Sequence, residues 1–185
     1  MKRFKYIFAL LLGLVASLQS ANAQSEAFLE ALRLYYSNDI KGAYFQLKKV
    51  IAAEPDNDAA YYYMHTVLRD QNMAADNLRK AVDLDGDNYW YNYALAHNYI
   101  AQNKNEEAAE ILEKLLADHP KKTNLYSDLI GVYAASKQYD KAMDAIDKVE
   151  SKVGPSDALA SIRYEILLAQ NKHQEAYDYM LGYYN

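Results

Sequence analysis

The chain has 185 residues, of which 25 are acidic and 20 basic, so that its formal net charge is −5, and it contains no cysteine. This charge makes the chain a poor ligand for nucleic acid or anionic lipid, because both attract clusters of lysine and arginine. The lack of cysteine excludes disulfides and thiolate metal sites.

Residues 1–23 have the pattern of a secretory signal peptide. Three basic residues among the first five precede an apolar run that starts at Tyr6, and Ala21 and Ala23 supply the small residues of a cleavage site before Gln24. Even when extended to Leu18, the apolar run is shorter than the roughly 20 residues that a membrane-spanning helix needs. We therefore predict cleavage after Ala23 and no membrane span in the mature chain. An uncleaved membrane anchor is the alternative.

The predicted cleavage determines the expected location of the protein. Removal of the three basic residues changes the formal charge from −5 to −8. Exported eukaryotic domains often contain disulfides, whereas this chain has no cysteine. We therefore predict an exported protein in the periplasm or cell envelope of a diderm bacterium.

A repeat of about 34 residues runs through the rest of the chain. Five alanines share one register, with gaps of 31, 34, 34 and 34 residues, and a large apolar residue follows each alanine by four. The alanines are Ala43, Ala74, Ala108, Ala142 and Ala176, and the apolar residues are Leu47, Leu78, Leu112, Ile146 and Met180. A third column upstream holds Leu34, Leu68, Tyr99, Tyr133 and Leu167. The third column precedes the alanine by nine residues, but by six in the second repeat, which predicts a tighter turn at 69–72.

Apolar residues that recur three and four positions apart predict amphipathic helices throughout this region. Proline, glycine, aspartate or asparagine at 54–57, 85–88, 118–121 and 153–157 end one helix and can cap the next. The pattern predicts ten helices in five hairpins: 25–37 with 40–53, 58–70 with 73–84, 89–102 with 106–117, 123–136 with 139–152, and 156–170 with 173–184.

These helix pairs resemble the tetratricopeptide repeat family over residues 24–185. The family pattern has Leu, a small residue and Tyr in the first helix, and Ala, a large apolar residue and Pro in the second. In the third repeat these positions hold Leu95, Ala96, Tyr99, Ala108, Leu112 and Pro120. The resemblance implies an all-α fold, a right-handed α-solenoid of about five antiparallel helix pairs. The repeats would be 24–57, 58–88, 89–122, 123–156 and 157–185.

Two columns depart from the family pattern. The small position that Ala31 and Ala96 fill becomes His65, Ile130 and Tyr164 in the other repeats. Glu30 and Arg163 stand in a column where Met64, Leu95 and Leu129 are apolar. The first and last repeats therefore depart most from the pattern.

The family geometry also implies a concave wall built from the first helix of each pair. Since Leu95, Ala96 and Tyr99 would face the second helix, a separate stripe containing Trp90 would face the groove. Equivalent positions in neighbouring repeats extend this surface. The predicted peptide-binding groove comprises Phe28, Tyr62, Thr66, Arg69, Trp90, Tyr93, His97, Ile100 and Ser127. The alternative is that the rings among them serve packing between repeats, since Tyr is common in helical repeat proteins.

No catalytic constellation is evident in the sequence. The four histidines occupy unrelated repeat positions, which gives no support to a metal site, and no glycine-rich phosphate loop or nucleophile elbow occurs. Carboxylates fall at helix starts and on exposed faces, where they favour the helix dipole. We therefore predict a protein that is not an enzyme and has no cofactor.

The leading hypothesis for function is a protein–protein interaction scaffold that holds a peptide or protein segment on the aromatic groove. The alternative is a structural subunit of a self-assembled or larger envelope complex. Helix 173–184 carries Tyr177, Met180, Tyr183 and Tyr184, with no polar capping helix after it. This pattern would fit self-association or a C-terminal continuation of the chain.

Overall fold

The computed structural model describes residues 26–184, in which every regular element is a helix. The predicted signal peptide lies outside these residues. The helices are α1 (26–36), α2 (Ile40–Ala53), α3 (Asp58–Val67), α4 (Gln71–Leu84), α5 (Tyr89–Ala101), α6 (Asn105–Asp118), α7 (Thr123–Ala135), α8 (Tyr139–Val153), α9 (Asp157–Ala169) and α10 (His173–Tyr184). The predicted all-α fold class is confirmed. Eight predicted helices agree with the observed ones to within one residue at each described end.

The second hairpin differs from the prediction. Helix α3 ends at Val67 instead of 70, because Leu68 is extended, with φ −85° and ψ 138°. Helix α4 begins at Gln71 instead of 73, because the Asp70 carboxylate accepts the backbone N–H of Met73 and caps the helix. The predicted tighter turn is also wrong, since loop 68–70 is three residues long, as is loop 102–104. The three residues that the second repeat lacks are missing from α3, which has 10 residues, whereas α5, α7 and α9 have 13 each.

The other four hairpin turns share one backbone conformation. Each places a residue in the left-handed region, with φ between 57° and 63°, at Asn38, Asn103, Lys137 and Asn171. In the third repeat, the N–H groups of Asn103 and Lys104 donate to the carbonyls of Ile100 and Tyr99, each at 2.9 Å. This Schellman arrangement satisfies carbonyl groups at the helix end, and it suits asparagine much better than lysine.

Replacing Lys137 by glycine should therefore raise the free energy of unfolding by about 1 kcal/mol, since glycine adopts a positive φ without steric cost. Chemical denaturation followed by circular dichroism measures the change. Lys114, exposed within α6, is the control position, where glycine should lower the free energy of unfolding by about 1 kcal/mol. A loss of stability at both positions would contradict the interpretation of the turn.

The predicted capping is observed at 54–57, whereas the turn at 118–121 supplies no side-chain cap to α7, which follows Lys122. The Asn57 side chain accepts the N–H of Ala60 at 2.9 Å and starts α3, and Ser156 accepts the N–H of Leu159 at 3.3 Å and starts α9. Gly154, at the end of α8, has φ 85°, a conformation that L side chains rarely adopt.

The helices divide into two compact units, one up to Tyr91 and the other from Asn92, so that the division falls within α5. In the first unit, α3 packs against both α2 and α4. Its core includes Ala31, Ala43, Leu47, Val50, Ala60, Met64 and Val67. In the second unit, the successive helices from α6 to α10 pack against one another. Its fully buried large side chains include Leu112, Leu125, Ile130 and Ile146.

The repeating columns lie in these cores. All five alanines are buried, as are the apolar residues that follow the first four of them. Met180 is only half-buried, which differs from the expectation for its column. Of the third column, Tyr133 and Leu167 are buried, and Leu34, Leu68 and Tyr99 are half-buried. The repeat seen in the sequence therefore corresponds to helix faces that pack against each other.

Candidate functional site

The predicted groove residues are distributed over both units, and each keeps part of its side chain accessible. Five belong to the first unit, namely Phe28, Tyr62, Thr66, Arg69 and Trp90, and four to the second, namely Tyr93, His97, Ile100 and Ser127. Thr66, Arg69, Trp90, His97 and Ser127 are exposed, and the others are half-buried. The column that faces the second helix behaves differently, since Leu95 and Ala96 are buried.

In the first unit, Phe28 and Tyr62 of the predicted groove join a larger tyrosine cluster, made of Phe28, Tyr35, Tyr36, Tyr62, Tyr63 and Tyr91. Its centre is Tyr63, whose ring lies 5.4 Å from that of Tyr35, 5.6 Å from that of Tyr62 and 6.0 Å from that of Phe28, in edge-to-face geometry. Edge-to-face pairs of this kind contribute beyond the area that they bury. The cluster holds α1 and α3 together and leaves ring surface accessible.

A hydrogen bond joins two hydroxyl groups of the cluster as well. Those of Tyr36 and Tyr63 lie 3.0 Å apart, and this hydrogen bond, followed by burial, raises the pKa of Tyr63 to about 12. Burial, and then the neighbouring tyrosines, raise the pKa of Tyr62. The hydroxyls of Tyr62 and Tyr63 are therefore neutral near pH 7, so these two residues present apolar rings and uncharged donors.

The Tyr62 ring packs against the ring of Tyr91, which is the first buried residue of α5. The two ring centroids lie 4.9 Å apart, and the Tyr91 hydroxyl donates to the Asp58 carboxylate at 2.9 Å. On the same helix as Tyr62, the His65 ring contacts a backbone carbonyl and lies 4.9 Å from the Tyr62 ring, and burial lowers its pKa. His65 is thus a half-buried packing residue.

Trp90 and Arg69 are exposed groove residues of the first unit that lie outside the tyrosine cluster. Trp90 is 61% exposed, and its ring centroid lies 5.1 Å from that of Tyr89 in edge-to-face geometry. Arg69 does not continue the α3 stripe, because the helix has already ended at Val67. It lies in loop 68–70 and lines a separate cleft with residues of α2.

In the second unit, His97 contacts the groove residue Tyr93 and the carboxylate of Asp128. The ring of His97 lies 4.4 Å from that of Tyr93, and its Nε2 lies 3.3 Å from a carboxylate oxygen of Asp128 on α7. Ser127 precedes Asp128 and is exposed. This arrangement offers an aromatic edge, an imidazole and a carboxylate, all suited to hydrogen bonding with a polypeptide.

The described helices contain neither a metal site nor a membrane span. Within residues 26–184, no three side chains of the types His, Asp and Glu group closely enough to hold a metal ion. No helix in this range combines the length and apolar character that a membrane crossing requires.

Sequence reasoning missed the centre of the aromatic surface. Tyr63 and Tyr36 were outside the predicted groove, and so were Tyr91 and Asp128, which hold Tyr62 and His97 in place. The density of tyrosine in 61–63 was the one available signal, since three successive rings on a helix cannot all face the core.

Comparison with known sequences identifies a repeat family. A sequence model described as the tetratricopeptide repeat matches residues 70–129 and 99–163, which together make up just over half of the chain. The comparison with curated proteins gives no match.

Solved structures show the same arrangement of helices. The structure of a MamA protein has a TM-score of 0.75 and 21% identity, over 86% of this chain and 89% of that one. A MamA fragment from Desulfovibrio magneticus RS-1 has a TM-score of 0.72 and 17% identity, over 86% and 92%. PilF of Pseudomonas aeruginosa has a TM-score of 0.61 and 18% identity, over 87% and 75%. At such low identity, the likeness is one of fold, and it agrees with the expected all-α repeat architecture.

Proposed function

Because the chain belongs to the tetratricopeptide repeat family, we propose that it is a non-catalytic protein–protein interaction scaffold of the bacterial cell envelope. It binds a peptide or protein segment through the aromatic residues of its first helices. Repeat folds of this kind commonly present extended surfaces to protein partners. The signal-peptide pattern of residues 1–23 and the lack of cysteine support the envelope location.

The tyrosine cluster is the observation that carries the proposed binding function. Its rings are fixed by mutual contacts, and the hydroxyls of Tyr36, Tyr63 and Tyr91 are fixed by hydrogen bonds, yet Tyr62 and Phe28 stay half accessible. A surface that is already ordered loses little conformational entropy when a partner binds. Tyrosine and tryptophan are also the residues that contribute most often to binding hot spots.

The composition of the surface favours an apolar or aromatic peptide. Rings predominate, Arg69, the one cation among the nine predicted groove residues, lines a separate cleft, and the whole chain has a net charge of −5. A strongly acidic partner would be repelled by the chain as a whole. The proposed ligand is therefore an extended or helical segment with large apolar side chains.

Affinity capture from an envelope fraction tests this proposal with two variants. Trp90→Ala removes a ring that is 61% exposed, and Tyr62→Ala removes a ring of the tyrosine cluster. We expect each variant to reduce partner binding at least about tenfold, as truncation of an aromatic anchor does. The recovered partner is then titrated against purified chain so that the affinities can be compared.

Tyr61→Ala is the matched control for capture. Tyr61 precedes Tyr62 on α3 and is half-buried like it, but its hydroxyl donates to the carbonyl of Pro55 and it is outside the groove set. This variant should bind the partner like the original chain. Equal capture by the original chain, Trp90→Ala and Tyr62→Ala would overturn the proposed surface.

A structural role in a larger assembly is the second candidate function. On α10, Tyr177, Leu181 and Tyr184 are exposed, so one helix presents several apolar side chains to solvent. Contiguous exposed apolar side chains are typical of interaction sites. Light scattering over a range of concentrations tests this candidate, since a strict monomer at high concentration would contradict self-assembly.

A further inference from the structure

The first unit contains a second accessible surface, separate from the tyrosine cluster. A cleft of about 920 Å³ opens between the α1–α2 turn, the start of α2 and the end of α3. Its apolar wall is formed by Ile40, Tyr44, Phe45 and Val67, and Lys41 and Arg69 supply positive charge. The volume lies within the range of about 300 to 1,000 Å³ that is typical of ligand pockets.

The shortened helix α3 explains the size of this cleft. The equivalent place in the second unit lies between the α7–α8 turn, the start of α8 and Gln170 after α9, and its volume is about 270 Å³. Helix α9 continues to Ala169, whereas α3 lacks the corresponding last turn and is followed by the extended Leu68. The start of α2 is therefore more accessible than the start of α8.

Phe45 is the unusual residue of the cleft. It is 63% exposed, although the equivalent position in the other four repeats holds a carboxylate, in Asp76, Glu110, Asp144 and Asp178. The Phe45 ring centroid lies 5.4 Å from that of Tyr44, in edge-to-face geometry. Together with Ile40, which is also exposed, these rings form a local apolar patch on an otherwise acidic helix row.

The charge of the cleft is opposite to that of the chain. Lys41 and Arg69 are both exposed, and within residues 26–184 neither forms an ion pair with a carboxylate. Asp39, the one acidic residue of the lining, uses its carboxylate to accept the N–H of Gly42 at 2.9 Å. A ligand with a carboxylate would therefore find two available cations beside an aromatic wall.

We propose that this cleft is a second binding site, which takes a peptide segment carrying a large apolar side chain next to one or more acidic residues. The apolar side chain packs against Phe45 and Tyr44, and the carboxylate pairs with Lys41 and Arg69. This specificity is distinct from that of the tyrosine cluster, where uncharged rings and hydroxyls predominate. The two sites would let one chain hold two different segments.

Selection of random phage-displayed peptides on the full chain tests the site, with Phe45→Asp as the counter-selected protein. The substitution introduces the residue type that the other repeats carry at this position, so we expect the fold to be kept, which circular dichroism checks. We expect the selected peptides to carry Asp or Glu beside Trp, Phe or Leu. Selected peptides without this composition, or none that distinguishes the two proteins, would overturn the proposal.

Fluorescence anisotropy with a selected peptide then assigns the residues. Phe45→Asp should weaken binding at least about tenfold, and Lys41→Glu should weaken it and reduce its salt dependence. Leu29→Asp is the matched control, because Leu29 is also 63% exposed and lies outside the cleft. Trp90→Ala should leave this binding unchanged, so that failure here is distinguishable from failure of the aromatic surface.

One competing occupant has a separate signature. A second copy of the chain could present an aromatic ring beside a carboxylate, as Tyr177 and Asp178 do on α10. Light scattering distinguishes the two, since the proposed site predicts a molar mass that does not change with Phe45→Asp. A dimer that dissociates with this variant would overturn the peptide proposal.

Discussion

Arg163→Leu should lower the free energy of unfolding by about 3 kcal/mol, even though it places leucine in a column of apolar residues. The Arg163 side chain is 13% exposed, and its Nη2 lies 2.5 Å from the Asp147 carboxylate and 2.9 Å from that of Glu150, both on α8. Leucine would leave Glu150, which is 21% exposed, without its cation. An uncompensated charge in a largely buried position costs more than the leucine side chain gains.

Changing Glu150 to leucine as well should recover most of this loss. One repeat earlier, the equivalent positions are Leu116 on α6 and Leu129 on α7, which line the same cleft, so the double variant reproduces an apolar combination that the chain already contains. The existing ion pair is also incomplete. Among the described residues, Arg163 Nε and Glu150 Oε1 are buried without a hydrogen-bond partner. Replacing such a pair with apolar groups is often neutral or stabilising.

Urea denaturation of the two single variants and the double variant measures the coupling between these positions. Asp147→Ala is the control, because the Asp147 side chain is 65% exposed, and its loss should cost below about 1 kcal/mol. A double variant as unstable as Arg163→Leu would show that the arginine is needed for more than pairing with Glu150.

The order of helices was predictable because one physical requirement is repeated five times. Each helix pair buries an alanine. In four of the five pairs, the large apolar side chain four residues later is also fully buried, as Ala108 and Leu112 illustrate. A helix face that packs must carry such residues at these intervals, so the sequence records the packing directly. The same signal appears in every repeat, which makes the assignment robust to the single residues that depart from it.

The end of α3 was not predictable from spacing. The distance from Leu68 to Ala74 locates a deletion, but the same distance fits a shorter loop or a shorter helix. Capping by Asp70 decides between them, because its carboxylate starts α4 at Gln71 and leaves three residues for the connection. The outcome bears on the proposed second binding site, since the shortened helix opens the cleft beside Phe45.

The candidate site was predictable only as a helix face. A stripe through Tyr62 follows from helical spacing, but Tyr63 belongs to a column that holds Leu29, Ala94 and Asp128 elsewhere, with no common chemistry. The contact between Tyr63 and Tyr36 joins residues 27 positions apart, and it depends on how α1 meets α3. Such contacts between repeats vary even where the repeat itself is regular.

Tyr91→Ala should lower the free energy of unfolding by about 3 to 5 kcal/mol, whereas Trp90→Ala should change it by less than about 1 kcal/mol. The two aromatic residues are neighbours on α5, but Tyr91 is 8% exposed and Trp90 is 61% exposed. Alanine at Tyr91 leaves a cavity beside the Tyr62 ring and removes the hydrogen bond to Asp58. Thermal and urea denaturation measure both variants, and similar losses at the two positions would contradict the division of this helix into core and surface.

Tyr91→Phe separates the ring from its hydroxyl. It keeps the ring against Tyr62 and removes only the 2.9 Å hydrogen bond to Asp58, which is half-buried and can be rehydrated, so we expect a loss of about 1 kcal/mol. Partner binding should survive in this variant, because the position of Tyr62 depends on ring packing. Trp90→Ala should show the opposite behaviour, with stability retained and binding reduced. A Tyr91→Phe variant that folds but no longer binds would mean that the hydroxyl, and not the packed ring, positions the aromatic surface.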